Sequence, residues 1–314
     1  MTLHVLRAGL HTTVQDLGRP GWQGDGVPEG GAMDDVALRI ANLLVGNADS
    51  AAGLEITLDG PVLRLERDAT IAIGGADLDA RVADAMLPPW RAVHVPAGTE
   101  LRFGEPRDGC RAYLAIAGGI DVPPVLGSRG TYVRAAIGGH EGRALRRGDV
   151  LPLGAVPAAR VRPRRLAREM QPAYGDTVRL VAGPQLDALA PGARARLFDA
   201  PFTVSARSDR MGFRLDGATL ALAAPMELLS AGVAMGTVQL PPDGAPIVLM
   251  ADRQTTGGYP RLGEVATVDL PALAQRRPGD VVRFAEVSLA EAQRLYLARE
   301  RALALLRVAL HAPA

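Results

Sequence analysis

Four stretches of this chain gather hydrogen-bonding side chains around glycines, and these are where chemistry is expected. The densest is 250–260, where Asp252, Arg253, Gln254, Thr255, Thr256 and Tyr259 surround Gly257 and Gly258 directly after the apolar run 247–250. A loop built only to turn does not need so many donors and acceptors, whereas glycine lets backbone approach a ligand closely. Gln239, a few residues after Gly236, adds a carboxamide from a neighbouring strand. The stretch 208–215 contributes Arg210. In 117–130, Ser128 and Arg129 stand between two glycines as a compact donor set for a carboxylate or phosphate oxygen, the alternative being a tight turn with a solvated arginine. In 13–21, Gln15, Asp16 and Arg19 offer donors and acceptors, and 30–35 follows with Asp34. Asp34 reads equally as a ligand-facing carboxylate or as a first-turn acid matched to a helix dipole.

Composition narrows the chemistry these groups can do. Of 314 residues, 35 are basic and 34 acidic, and every basic residue is arginine. Without lysine the chain cannot carry biotin, form a Schiff base, complete a Walker phosphate loop or supply a serine–serine–lysine amidase triad. No G-x-S-x-G elbow is present and His4, His11, His94, His140 and His311 fall outside the polar segments, so serine nucleophile chemistry is disfavoured. One cysteine and scattered histidines give neither a disulfide framework nor metal-ligand spacing, so no metal is expected, and Cys110 reads as a small core residue. A net charge of +1 argues against nucleic-acid binding. The local run Arg160, Arg162, Arg164, Arg165 and Arg168 reads as a solvated face. What remains is a site that works by arginine and amide positioning with one carboxylate.

The elements that must hold these groups are mainly strands. Thirty-six glycines and 24 prolines punctuate short Val/Leu/Ile runs, the pattern of a barrel or sandwich. A turn-then-strand phrase recurs at 96–103, 173–180 and 277–284, each alternating apolar residues with arginine so that arginine stays wet. The repetition predicts two similarly built domains, 1–155 and 173–287, joined by an Ala/Pro/Arg-rich connector at 156–172. Two helices stand out. One is expected over 33–45, with Val36, Ile40, Leu43 and Leu44 on one face and Gly46-Asn47 as its stop. The other opens at the Ser288/Glu291 capping box and occupies 288–314, with Leu295, Leu303 and Leu306 on its apolar side. The N-terminal residues do not form a secretory signal and no run reaches the roughly 18 apolar residues of a membrane span, so a cytoplasmic protein is expected.

At these segments the sequence resembles the family of the C subunit of bacterial 5-oxoprolinase, also known as the biotin-dependent carboxyltransferase-like family and, by an older label, allophanate hydrolase subunit 2. The resemblance rests on VQDLGR at 14–19, GAMD at 31–34, Leu54-Glu55, YLAIAGGID at 113–121, LGSR at 126–129, SDRMG at 208–212, GAPIV at 244–248 and DRQTTGGYP at 252–260. The motifs span nearly the whole chain in order. One departure is Gly130, where the family usually has a second serine after Ser128-Arg129.

The resemblance implies a mainly β fold of two cyclophilin-like β-barrel domains with a few helices. It implies heteromeric partners, a B subunit of the allophanate hydrolase subunit 1 family and an A subunit of the LamB/YcsF family. The implied activity is ATP-dependent opening of 5-oxo-L-proline to L-glutamate, with ATP bound by the complex and no biotin on this chain. Within that activity Arg19, Arg129 and Arg210 are expected to hold anionic oxygen, and Asp252 to act as base or orienter. Asp34, Ser128, Gln239, Gln254, Thr255, Thr256 and Tyr259 are the expected substrate-positioning groups. Two other readings stay open: a biotin-dependent carboxyltransferase component acting on urea or another small amide, and a non-catalytic component that regulates a partner.

Overall fold

The computed structural model of the chain describes residues 2–156 and 164–311. They divide into two compact units: 2–19 with 30–156, 164–172 and 303–311, and 20–29 with 173–302. The fold is mainly β, with four α-helices among the described residues: α1 (Asp35–Leu44), α2 (Ala193–Asp199), α3 (Leu270–Ala274) and α4 (Leu289–His311).

In the first unit the strands form two sheets rather than one closed barrel. A six-stranded sheet runs in the order Val150–Pro152, Thr2–Arg7, Val62–Leu65, Glu100–Arg102, Arg81–Val82, Ala85–Met86. A five-stranded sheet runs His11–Gln15, Gly53–Thr57, Asp108–Ile116, Ala69–Asp77, Ala92–Val95. Alternation does the sorting: in Val62–Leu65, Leu63 and Leu65 are buried while Arg64 is exposed. Leu3, Leu54, Ile56, Leu63, Ile71 and Leu114 meet in one apolar cluster. The predicted face of α1, Val36, Ile40, Leu43 and Leu44, packs in a second cluster with Ala72, Trp90, Tyr113, Leu303 and Leu306. Cys110 is buried, as expected of a small core residue.

The connector differs from the sequence reading in its second half. Ala92 N–H donates to the Arg164 carbonyl at 2.8 Å, Leu166 N–H donates to the Trp90 carbonyl at 2.9 Å, and the Leu166 side chain is buried. Arg165 bridges Arg91 in antiparallel sense, and Leu166 joins the apolar cluster that holds Trp90. Arg160 and Arg162 of the charge run lie outside the described residues.

The second unit is a closed barrel in the order Thr177–Ala182, Arg261–Val265, Thr237–Gln239, Ile247–Leu249, Gly212–Gly217, Phe202–Val204, Val281–Val287. Its neighbouring strands are antiparallel, except that Thr177–Ala182 and Val281–Val287 pair in parallel. Val178, Leu180, Phe202, Phe213, Leu215, Val238, Val248 and Phe284 are all buried. Phe202 and Phe284 meet edge to face at 5.8 Å. Among the described residues no helix is long and apolar enough to cross a membrane.

Candidate functional site

The polar segments assemble into one cluster in each unit. In the first, the strand His11–Gln15 ends by delivering Gln15 and Asp16 into the fold. Asp16 organises the loop 128–130: Oδ1 accepts from Ser128 Oγ at 2.6 Å and from Gly18 N–H at 2.9 Å, and Oδ2 accepts from Arg129 N–H at 2.6 Å. Ser128 Oγ in turn accepts from Gly130 N–H at 2.9 Å. The Gln15 amide donates to Thr13 Oγ1 at 3.1 Å and to the Thr131 carbonyl at 3.0 Å. Arg19 is enclosed beside them, its guanidinium donating to the Gly130 carbonyl.

This geometry reassigns three expected ligand groups. Ser128 has its hydroxyl donating to Asp16 and accepting from Gly130, so it staples the loop. The Arg129 side chain turns outward and pairs with Asp121 at 2.9 Å, only its backbone being held by Asp16. Asp34 is fully buried as the N-cap of α1, Oδ1 accepting from Ala37 N–H at 2.9 Å. Below it lies a buried network that the sequence left unremarked except as matching text. Tyr113 OH accepts from Asp34 N–H and donates to Glu55 Oε2, both at 2.8 Å, while Met33 N–H donates to the same carboxylate oxygen at 2.9 Å. Burial pushes the Tyr113 phenol well up, and the charges of Glu55 and Asp34 push it further, so it stays a neutral bridging hydroxyl.

In the second unit Arg210 and Asp252 form a bidentate buried pair, Nε to Oδ2 and Nη2 to Oδ1 both at 2.9 Å. Asp252 N–H also donates to the Arg210 carbonyl at 2.8 Å, so the two segments are tied by backbone as well. Both carboxylate oxygens of Asp252 hold the fork, which makes it the positioning partner of Arg210 and not a free base. Arg253 is buried next to it, donating to Glu29 Oε2 at 3.2 Å and to the Val233 carbonyl at 3.3 Å. Gln254 Nε2 donates to Gln239 Oε1 at 3.4 Å. Gln239 is 1% exposed, and its Nε2 meets no hydrogen-bond partner among the described residues.

Beyond Gln254 and Thr255, Thr256–Gly257 pairs with Ala231–Gly232 as a two-strand ribbon. Thr256 is exposed on it. Tyr259, half exposed, lines a groove of about 800 Å³ with Gly258, Pro260, Leu240 and Leu228. The structure thus pairs Arg210 with Asp252 and Gln239 with Gln254, and sets Tyr259 on the groove wall. Glu264 was missed by the sequence reading. It faces Thr237, whose Oγ1 lies 2.9 Å from each carboxylate oxygen, and burial pushes its proton affinity up against the opposing pull of Thr237, Arg261 and Arg253. The available signal was an acid inside the apolar alternation of 261–265. Among the described residues no group of three or more His, Cys, Asp or Glu is placed to hold a metal.

With this geometry in view, residues 25–286 match the carboxyltransferase domain, subdomain A and B. The chain belongs to this carboxyltransferase domain family. It is 43% identical over 295 residues to the C subunit of 5-oxoprolinase from Escherichia coli (strain K12), covering 92% of this chain and 93% of that one. It is 30% identical over 305 residues to urea amidolyase of Saccharomyces cerevisiae, covering 91% of this chain and 17% of the larger protein. The crystal structure of the K. lactis urea amidolyase superposes with a TM-score of 0.92 at 31% identity over 97% of this chain, which spans 20% of that one.

Proposed function

We propose that this chain is the C subunit of a 5-oxoprolinase, a complex that opens 5-oxo-L-proline to L-glutamate at the expense of ATP. The observation that carries the reading is the end-to-end likeness to the bacterial protein, 93% of which is matched, set against the 17% matched in the yeast amidolyase. The partners in this reading are the B and A subunits, and ATP belongs to the assembled complex.

The chemistry suits the side chains of the second unit. A lactam carbonyl is a poor electrophile; transfer of the γ-phosphoryl group of ATP to its oxygen, with ADP leaving, makes the carbon one that water can attack. The ring C–N bond then breaks with the nitrogen taking a proton, and a second water releases phosphate from the resulting acyl phosphate. Negative charge then gathers on oxygen, and a guanidinium held rigidly in place stabilises it better than a mobile one. Arg210, fixed by both oxygens of Asp252 at the start of the 252–259 loop, is such a group. Gln254, Thr256 and Tyr259 follow on the same loop as positioning groups.

The test is to co-express the chain with its B and A subunits and follow ATP-dependent glutamate release. Arg210→Ala is expected to lower turnover by about 10²–10³ with the subunits still co-purifying. Unchanged turnover would overturn the role of Arg210. A complex that leaves 5-oxo-L-proline intact but carboxylates urea from a biotin carrier would overturn the substrate.

A further inference from the structure

We propose that Gln239 recognises the carbonyl oxygen of the substrate amide, with Gln254 and Gly257 holding it in place. This rests on the lactam-opening reading above. The argument begins with alternation in the strand Thr237–Gln239. Val238 faces the barrel core and is fully buried, so Thr237 and Gln239 face the other side, the side on which Thr237 meets Glu264. That side is closed over as well, since Gln239 is itself 1% exposed.

A primary amide has two donors on nitrogen and an acceptor oxygen, and an enclosed one is normally satisfied at both ends. Gln239 is satisfied only at oxygen, by Gln254 Nε2 at 3.4 Å. The Nε2 end meets nothing among the described residues. It lies against Gly257, where a Cβ would stand 2.5 Å from Nε2, so no residue with a side chain fits at 257 without moving the amide. The glycine therefore keeps a neutral donor in a place where a side chain would displace it.

A neutral N–H pair is matched to the neutral carbonyl oxygen of the bound amide before it reacts. Among the described residues no acceptor meets that end, and the arginines of the adjoining segments, Arg253 and Arg210, are tied to Glu29 and Asp252. Sites built around such a hydrogen bond reject analogues that lack the partner atom, because the buried donor is then left unmatched. The chemical class favoured is a cyclic or open amide, and a ring that offers CH₂ in place of C=O gains nothing from this donor and is held by its other groups alone.

The experiment uses the assembled complex with the Gln239→Leu and Gln239→Glu variants. KM for 5-oxo-L-proline is expected to rise about tenfold or more in both, with KM for ATP unchanged. Competition separates recognition from general damage. 2-Pyrrolidinone, which has the lactam but no carboxylate, is expected to inhibit the wild type and to lose that inhibition in both variants. L-Proline, which has the carboxylate but no lactam oxygen, is expected to inhibit all three equally. Gln254→Leu is expected to raise KM by less and to add little in combination with Gln239→Leu, because the two act through one amide.

Unchanged KM in both Gln239 variants, or equal loss of lactam and proline inhibition, overturns the assignment while leaving the function standing. A wild-type complex that does not consume 5-oxo-L-proline overturns the function and this assignment together.

Discussion

Each unit ends a short strand in a buried glutamine that lies against a glycine, Gln15 with Gly130 in the first and Gln239 with Gly257 in the second. In each, one amide atom meets no partner among the described residues, Oε1 of Gln15 and Nε2 of Gln239. The bracing differs. The nitrogen of Gln15 is held twice, by Thr13 and Thr131, beside a loop that Asp16 ties down through two further hydrogen bonds. Gln239 is held once, at 3.4 Å, by another flexible carboxamide. The fit differs as well: a Cβ at 130 would come within 3.0 Å of Gln15 Oε1, whereas at 257 it would come within 2.5 Å of Gln239 Nε2. The same device is a locked joint in one place and an adjustable one in the other, and the adjustable copy shares its unit with the tied arginine–aspartate pair.

The largest effect that would test this contrast comes from the arginines. Arg210→Met leaves Asp252 as a buried unpaired carboxylate and is expected to cost about 3–5 kcal/mol in urea unfolding. Arg129→Ala removes a pair whose side chains are 38% and 56% exposed, and is expected to cost about 0–1 kcal/mol. Equal losses would erase the distinction. Next in size, Gly257→Ala overpacks against Gln239 and is expected to destabilise by about 1–3 kcal/mol. A neutral outcome would mean that the second glutamine is free to move aside.

Acid and base titrations separate the units by sign. Asp149 in the first unit accepts from both Nη atoms of Arg143, which brings its pKa down to about 2. Its contribution is present above the ordinary carboxylate range and is lost as pH falls through about 2. Asp149→Asn is therefore expected to lower the melting temperature at pH 7 and to converge with wild type in strong acid. Glu264 has the opposite shift, raised by burial, so ionisation costs stability as pH rises through its folded pKa. Glu264→Gln is expected to raise the melting temperature at neutral pH and to match wild type in acid. The smallest effect is Gly130→Ser, which restores the hydroxyl usual in the family beside Gln15 Oε1. It is expected to stabilise by less than about 1 kcal/mol, the new hydrogen bond being offset by close contact. A large loss would show that the first joint has no room to give.

Much of the architecture could be read from local pattern. The recurring turn-then-strand phrase became strands Glu100–Arg102, Thr177–Ala182 and Val281–Val287, and Ser288 Oγ accepts from Glu291 N–H at 3.2 Å where the capping box placed it. What local pattern could not supply was partnership across distance. Ser128 and Asp252 look like ligand groups in sequence because Asp16 and Arg210, which occupy them, are far away along the chain. The two sheets of the first unit were equally hidden, since strand order depends on pairings that no single segment encodes. The acid at 264 is visible in its alternating strand, but the pattern alone does not separate a wet-face carboxylate from one set against Thr237.

The parallel seam that closes the second barrel also sets an order of events during synthesis. Thr177 pairs with Arg283, so the strand Thr177–Ala182 has an unpaired edge until most of the unit has been made. Contacts of such long sequence separation form slowly. A nascent chain stopped short of Val281 therefore carries an open, strand-hungry margin. In the cell, chaperone demand and losses to aggregation are expected to concentrate in that interval, before the last strand arrives.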